Sequence, residues 1–71
     1  MNIDKLVNEI TNRIEKFNNL ENISWYEVIN REFNNFKEIN IDNKNLILVR
    51  VVREISKRGY LINDFPFKLT R

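Results

Sequence analysis

The chain has no cysteine, no histidine, one glycine and one proline among its 71 residues. Without cysteine there is no disulfide and no thiolate metal site. Without histidine the commonest general base and metal ligand is missing, as is the one side chain that ordinarily titrates near neutral pH. No cofactor, no metal and no enzymatic activity are therefore expected. Carboxylates are present, but none stands beside a second acid or a base in the way that acid–base chemistry needs. Long apolar runs are also missing. The longest, Leu46 to Val49, is stopped by Arg50, far short of the roughly 18 residues of a membrane span. The N-terminus opens with Asn2 and Asp4 rather than a basic-then-apolar export signal, so a cytoplasmic protein without a membrane partner is expected.

Alanine and glutamine are absent too, while asparagine occurs thirteen times. Asn, Ile and Lys have AT-rich codons and Ala, Gly and Pro have GC-rich ones, which points to a low-GC bacterium or to a phage or plasmid within one. An Asn-rich chain can be disordered. Here the apolar residues are strongly periodic and include eight aromatics, which is the pattern of a packed fold. The length fits a single domain, 1–71, that buries only roughly 60% of its unfolded surface. Reinforcement falls to packing or to self-association, and a homodimer and a monomer both stand open.

The formal charge of +2 is unevenly spread. Residues 1–42 carry five Lys/Arg and eight Asp/Glu, a net of −3; residues 43–71 carry seven and two, a net of +5. The split suits an anionic partner for the second half, or simply two halves that attract each other.

Periodicity gives a mainly α protein, a three-helix bundle over about 3–19, 25–38 and 43–58. Ile3, Leu6, Val7, Ile10, Ile14 and Phe17 form one stripe of the first helix, with Asn2 as its N-cap. Ser24 and Glu27 form a capping box for the second, with Ile23 and Val28 placed as a hydrophobic staple. Trp25, Val28, Ile29, Phe33 and Phe36 make its inner face, with Ile39 at the end. Asp42 is the predicted N-cap of the third helix, and Ile41 with Leu46 repeats the staple spacing. Gly59 closes that helix behind Lys57 and Arg58. Residues 60–69 read as an extended segment or a short β-hairpin, with Pro66 confining its strand to an edge. Tyr26, Tyr60 and Phe65 are the aromatics expected to be exposed.

Three features bear on function. On the third helix, Ile47, Leu48, Val51, Val52 and Ile55 fill an apolar arc, while Arg50, Arg53 and Lys57 cluster within roughly 60° opposite them. This ridge, extended by Lys44, Lys68 and Arg71, can meet successive phosphates of DNA or RNA; a solvated face paired with first-helix carboxylates is the alternative. Second, Leu46 and Val49 lie beside the basic side, where they meet either the C-terminal segment or a partner chain. Third, Glu32 falls in the middle of the second helix's apolar face. A lone carboxylate there needs a cation, and Arg58 is the predicted partner in a structural pair.

The junction Ile55-Ser56-Lys57-Arg58-Gly59-Tyr60-Leu61-Ile62, followed by Phe65 to Leu69, resembles that of a winged helix-turn-helix, in which a basic recognition helix ends at a Gly and runs into a β-hairpin wing. The similarity covers about residues 23–71 at the level of architecture. It implies Asn43, Lys44, Asn45, Ile47 and Arg50 as groove-facing residues, with Lys68 or Arg71 on backbone phosphates. Two functions follow. One is a small transcription-related or accessory protein that binds nucleic acid through its third helix. The other is a phage- or plasmid-type module that inhibits or regulates a host protein through the Leu46/Val49 face or the acidic first half.

Overall fold

A computed structural model describes residues 2–18, 24–60 and 62. Among these residues there are three α-helices and no strand: α1 (Ile3–Phe17), α2 (Trp25–Phe33) and α3 (Lys44–Lys57). No helix among them is long and apolar enough to cross a membrane. The expected hairpin over 60–69, apart from Tyr60 and Ile62, lies outside the described residues, as do Ile23 of the staple, Phe65, Lys68 and Arg71.

The core takes four aliphatic or aromatic side chains from each helix: Leu6, Val7, Ile10 and Ile14; Trp25, Val28, Ile29 and Phe33; Ile47, Val51, Val52 and Ile55. α1 sits between the other two and touches α3 more extensively than α2. Asp4 meets Arg50 and Glu15 meets Arg58, so α1 and α3 run side by side in the same sense.

The start of α1 follows the sequence. Asn2 Oδ1 accepts from the Lys5 amide at 3.1 Å, satisfying one of the free amides of the first turn. Thr11 is fully buried, and its hydroxyl donates to the Val7 carbonyl at 2.8 Å, so no polar group is left unpaired. Phe17, expected to end the apolar stripe, is instead 59% exposed. It is the last helical residue, a full turn past Ile14. Its ring carries the Arg13 guanidinium at 5.1 Å and the Lys16 ammonium at 5.3 Å, a cation–π arrangement available only at the surface.

α2 begins as expected, with Ser24 Oγ accepting from the Glu27 amide at 3.4 Å, but it stops at Phe33 rather than near residue 38. The cause is Asn34-Asn35. Asparagine favours turns over helix interiors because its amide competes for nearby backbone groups. Here the Asn34, Asn35 and Phe36 amides bond three residues back, to Arg31, Glu32 and Phe33.

The connection into α3 is tied by asparagines. Asn40 Oδ1 accepts from the Asp42 and Asn43 amides at 2.9 and 3.1 Å, and Asn43 Oδ1 accepts from the Asn40 amide at 2.8 Å. Asn43 also donates to the Glu38 carbonyl at 2.9 Å. Asn43, not Asp42, is the N-cap of α3, and it makes no side-chain cap bond; the first helical amide, Lys44, bonds the Asn40 carbonyl at 2.9 Å. Ile41 is 92% exposed and Leu46 55% exposed, so their spacing does not produce a buried staple.

At its other end α3 closes as the sequence predicts. Gly59 adopts φ +103°, a conformation costly for any residue with a Cβ. The Gly59 amide bonds Ser56 and the Tyr60 amide bonds Ile55, the paired bonds of a Schellman closure. The chain turns back, so that Tyr60 lies half-buried with its ring centroid 5.7 Å from that of Trp25. Tyr60 is thus not the free aromatic its position suggested.

Candidate nucleic-acid interface

Burial of Ile47, Val51, Val52 and Ile55 fixes how α3 is rotated. At 100° per residue, the outward side then carries Leu46, Val49, Arg50, Arg53 and Lys57. Arg53 and Lys57 are exposed, Arg50 and Val49 are half-buried and Leu46 is exposed. The structure thus brings Arg50, Arg53 and Lys57 together as one basic ridge.

The ridge forms one wall of an open cleft of about 530 Å³, lined also by Asp4, Val7 and Asn8 of α1 and by Glu54. Only Val7 is apolar in that set. Small-molecule pockets are mostly apolar with a few polar groups; this cleft is the reverse, lined almost wholly by charged and polar side chains.

Two other expected members do not join it. Lys44 lies about 180° from Arg53 around the helix and borders a different hollow with Phe33, Asn34, Ile39, Asn40 and Ile41. Ile47, groove-facing under the helix-turn-helix resemblance, has no exposed surface, because helical rotation puts it in the same arc as Val51 and Ile55.

The predicted Glu32–Arg58 pair is replaced by two separate arrangements. Glu32 is 5% exposed, and its carboxylate accepts from Arg13 Nε at 2.9 Å and from Asn35 Nδ2 at 3.3 Å. Arg13 is three residues past Ile10, on the flank of α1 that faces α2, so it reaches Glu32 where Arg58 does not. Sequence reasoning gave Arg13 no role; its position one turn after a core residue was the available signal. Replacing Arg13 with Leu is expected to cost about 1–3 kcal/mol, less than the ~3–5 of a fully buried pair because Arg13 keeps 39% side-chain exposure. Arg13→Leu with Glu32→Leu should cost less than either single change in a denaturant-unfolding cycle. Strict additivity would contradict the pairing.

Arg58 instead closes a clamp on α1. Its guanidinium donates to Glu15 at 2.5 Å, to Asn12 at 2.9 Å and to Glu54 at 3.0 Å, and Tyr60 Oη donates to Glu15 at 2.9 Å. Hydrogen bonds from Tyr60 and then from Arg58 hold the Glu15 carboxyl below its usual range, and the bond to Glu15 pushes the Tyr60 phenol up. A depressed carboxyl stabilises the fold above its ordinary value, and that contribution disappears as pH falls through the lowered one. Glu15→Gln should therefore melt below the parent at pH 7, with the difference shrinking toward pH 3. A difference independent of pH would remove the clamp from the account.

Of the five described arginines, four are held by side-chain acceptors: Arg13 by Glu32, Arg31 by Asn18, Arg50 by Asp4 and Arg58 by Glu15, Glu54 and Asn12. Arg53 alone among the described residues' arginines has none, and its neighbour Lys57 makes no ion pair there either. Among the described residues no group of three or more carboxylates is placed to hold a metal ion. No family model, curated protein or solved structure matches the chain.

Proposed function

We propose that the chain is a small, non-enzymatic nucleic-acid-binding protein, transcription-related or accessory, that sets the outward face of α3 against a phosphate backbone. The observation that carries this reading is Arg53, the one described arginine without an acceptor, standing beside Lys57 on the polar cleft. Arg13, Arg50 and Arg58 are paired with carboxylates and Arg31 with the Asn18 amide oxygen, while Arg53 and Lys57 stand side by side on α3 without an acidic partner. Arginine forks onto phosphate oxygens or a guanine edge, and lysine supplies a point charge beside it. Leu46 and Val49 share the face and suit apolar contact with thymine methyls or sugars. A winged helix-turn-helix sets this helix along a groove, and on this chain that contact falls to Arg50, Arg53 and Lys57, since Ile47 is buried and Lys44 borders another hollow; the setting of this reading is the cytoplasm. A gel-shift series at low salt against duplex DNA, single-stranded DNA and RNA tests it. Micromolar or tighter binding to one of them is expected, and absence of binding to all three ends the reading.

A second reading is favoured by one observation: Leu46, a large aliphatic beside Val49 on the outward side of α3, is left 55% exposed. Under it, the chain is a phage- or plasmid-type module that regulates a host protein through this face. Leu46→Asp would then break a complex recovered with wild type while leaving the helical signal intact. Loss of helicity would show Leu46 to be part of the packing.

A further inference from the structure

We propose that Asp4 is a built-in competitor for Arg50, occupying in the free protein the guanidinium that a nucleic-acid phosphate takes in the complex. The inference rests on the nucleic-acid reading and concerns the regulation of that same surface. Asp4 and Arg50 form a hydrogen-bonded ion pair across the cleft that also holds Arg53 and Lys57. A carboxylate and a phosphate present the same acceptor fork to arginine, so Asp4 fills the place of the ligand's own group.

The pair is built to open. Its side chains are 77% and 39% exposed, and exposed ion pairs are weak and screened by salt. Arg13 and Arg58 differ. Arg13 is committed to a carboxylate 7% exposed, and Arg58 is held by three acceptors. Glu54, the other acid at the cleft, is engaged by Arg58 at 3.0 Å. That leaves Asp4 as the acid that contests the ridge. Asp4 also keeps a favourable place when Arg50 departs, because it lies in the first turn of α1, where the helix dipole favours negative charge. Phosphate binding thus exchanges one partner of Arg50 for another and strands no charge.

The test is a fluorescence-anisotropy titration of a labelled mixed-sequence 20-base-pair DNA with wild type, Asp4→Asn, Arg50→Gln and the double variant, repeated across a salt series. Asp4→Asn is expected to bind about fivefold tighter at low salt, the weight of one unit charge at contact distance in water. The slope of log K against log salt should stay nearly the same, because Arg50 meets a phosphate in both complexes. In the Arg50→Gln background the gain should vanish. Asp4→Ser, which keeps a first-turn acceptor, should behave as Asp4→Asn does. Unchanged affinity in Asp4→Asn, or a gain that survives intact without Arg50, overturns the inference while leaving the nucleic-acid reading in place. Failure of both wild type and Asp4→Asn to bind this duplex, single-stranded DNA and RNA alike overturns the reading, and the inference falls with it.

Discussion

Ile47→Ala is expected to destabilise the fold by about 2–5 kcal/mol, measured as a thermal melt by circular dichroism. Ile47 has no exposed surface and lies in the arc of α3 that packs against the core. Removing its branched chain deletes transferred apolar surface and leaves a cavity that three short helices cannot close. A domain of this length holds only about 4–10 kcal/mol in total, and each kcal/mol is worth about 4–8 °C of melting temperature in so small a unit. The variant should therefore melt at least about 8 °C lower, by the same scale. Leu46→Ala, one residue earlier and 55% exposed, should stay within about 0.5 kcal/mol of wild type. The contrast fixes the rotation of α3. Equal, small effects at both positions would put Ile47 on the surface, where the helix-turn-helix resemblance places it, and would turn the basic ridge away from the cleft.

The second large effect concerns binding. Arg53→Glu with Lys57→Glu is expected to weaken nucleic-acid binding about a hundredfold or more at low salt, since two phosphate contacts become two repulsions. Stability should barely change, because both side chains are exposed and neither makes an ion pair among the described residues. The double change takes the formal charge from +2 to −2. Lys16→Glu with Lys37→Glu makes the same total change at exposed positions off the ridge, and it should cost far less. Equal losses in the two variants would mean that net charge alone governs binding and that the ridge has no special place.

Much of this arrangement was legible before any coordinates. The 3.6-residue stripe of α1, the Ser24 cap and the Gly59 closure are local signals, and each is set by the few residues that surround it. The end of α2 was misjudged because apolar periodicity continues through Phe36 and Ile39, while the hydrogen bonding is broken by Asn34-Asn35. Both aromatic and aliphatic side chains still pack against the core from the turns, so periodicity outlived the helix. Asp42 has the position of a cap, yet α3 starts one residue later, behind Asn43, after a turn tied by reciprocal bonds between Asn40 and Asn43, a loop geometry that no spacing rule announces.

Ion pairing was the least legible layer. Glu32 was rightly seen to need a cation, but the choice between Arg13 and Arg58 depends on how α1 is rotated between α2 and α3. The same rotation brings Asp4 to Arg50 and Glu15 to Arg58. Attraction between the acidic and basic halves of the chain is thus partly spent inside the fold. Of the cations on α3 it leaves Lys44, Arg53 and Lys57 without an ion pair among the described residues, and of these Arg53 and Lys57 line the cleft.

The salt dependence of wild-type binding tests the central claim most directly. In an anisotropy titration of whichever labelled nucleic acid the gel shift selects, the affinity should fall as salt rises, with a log–log slope of roughly −2 to −3 from the phosphate contacts of Arg50, Arg53 and Lys57. Absence of binding at low salt, or an affinity indifferent to salt, would contradict the proposed role of the α3 face.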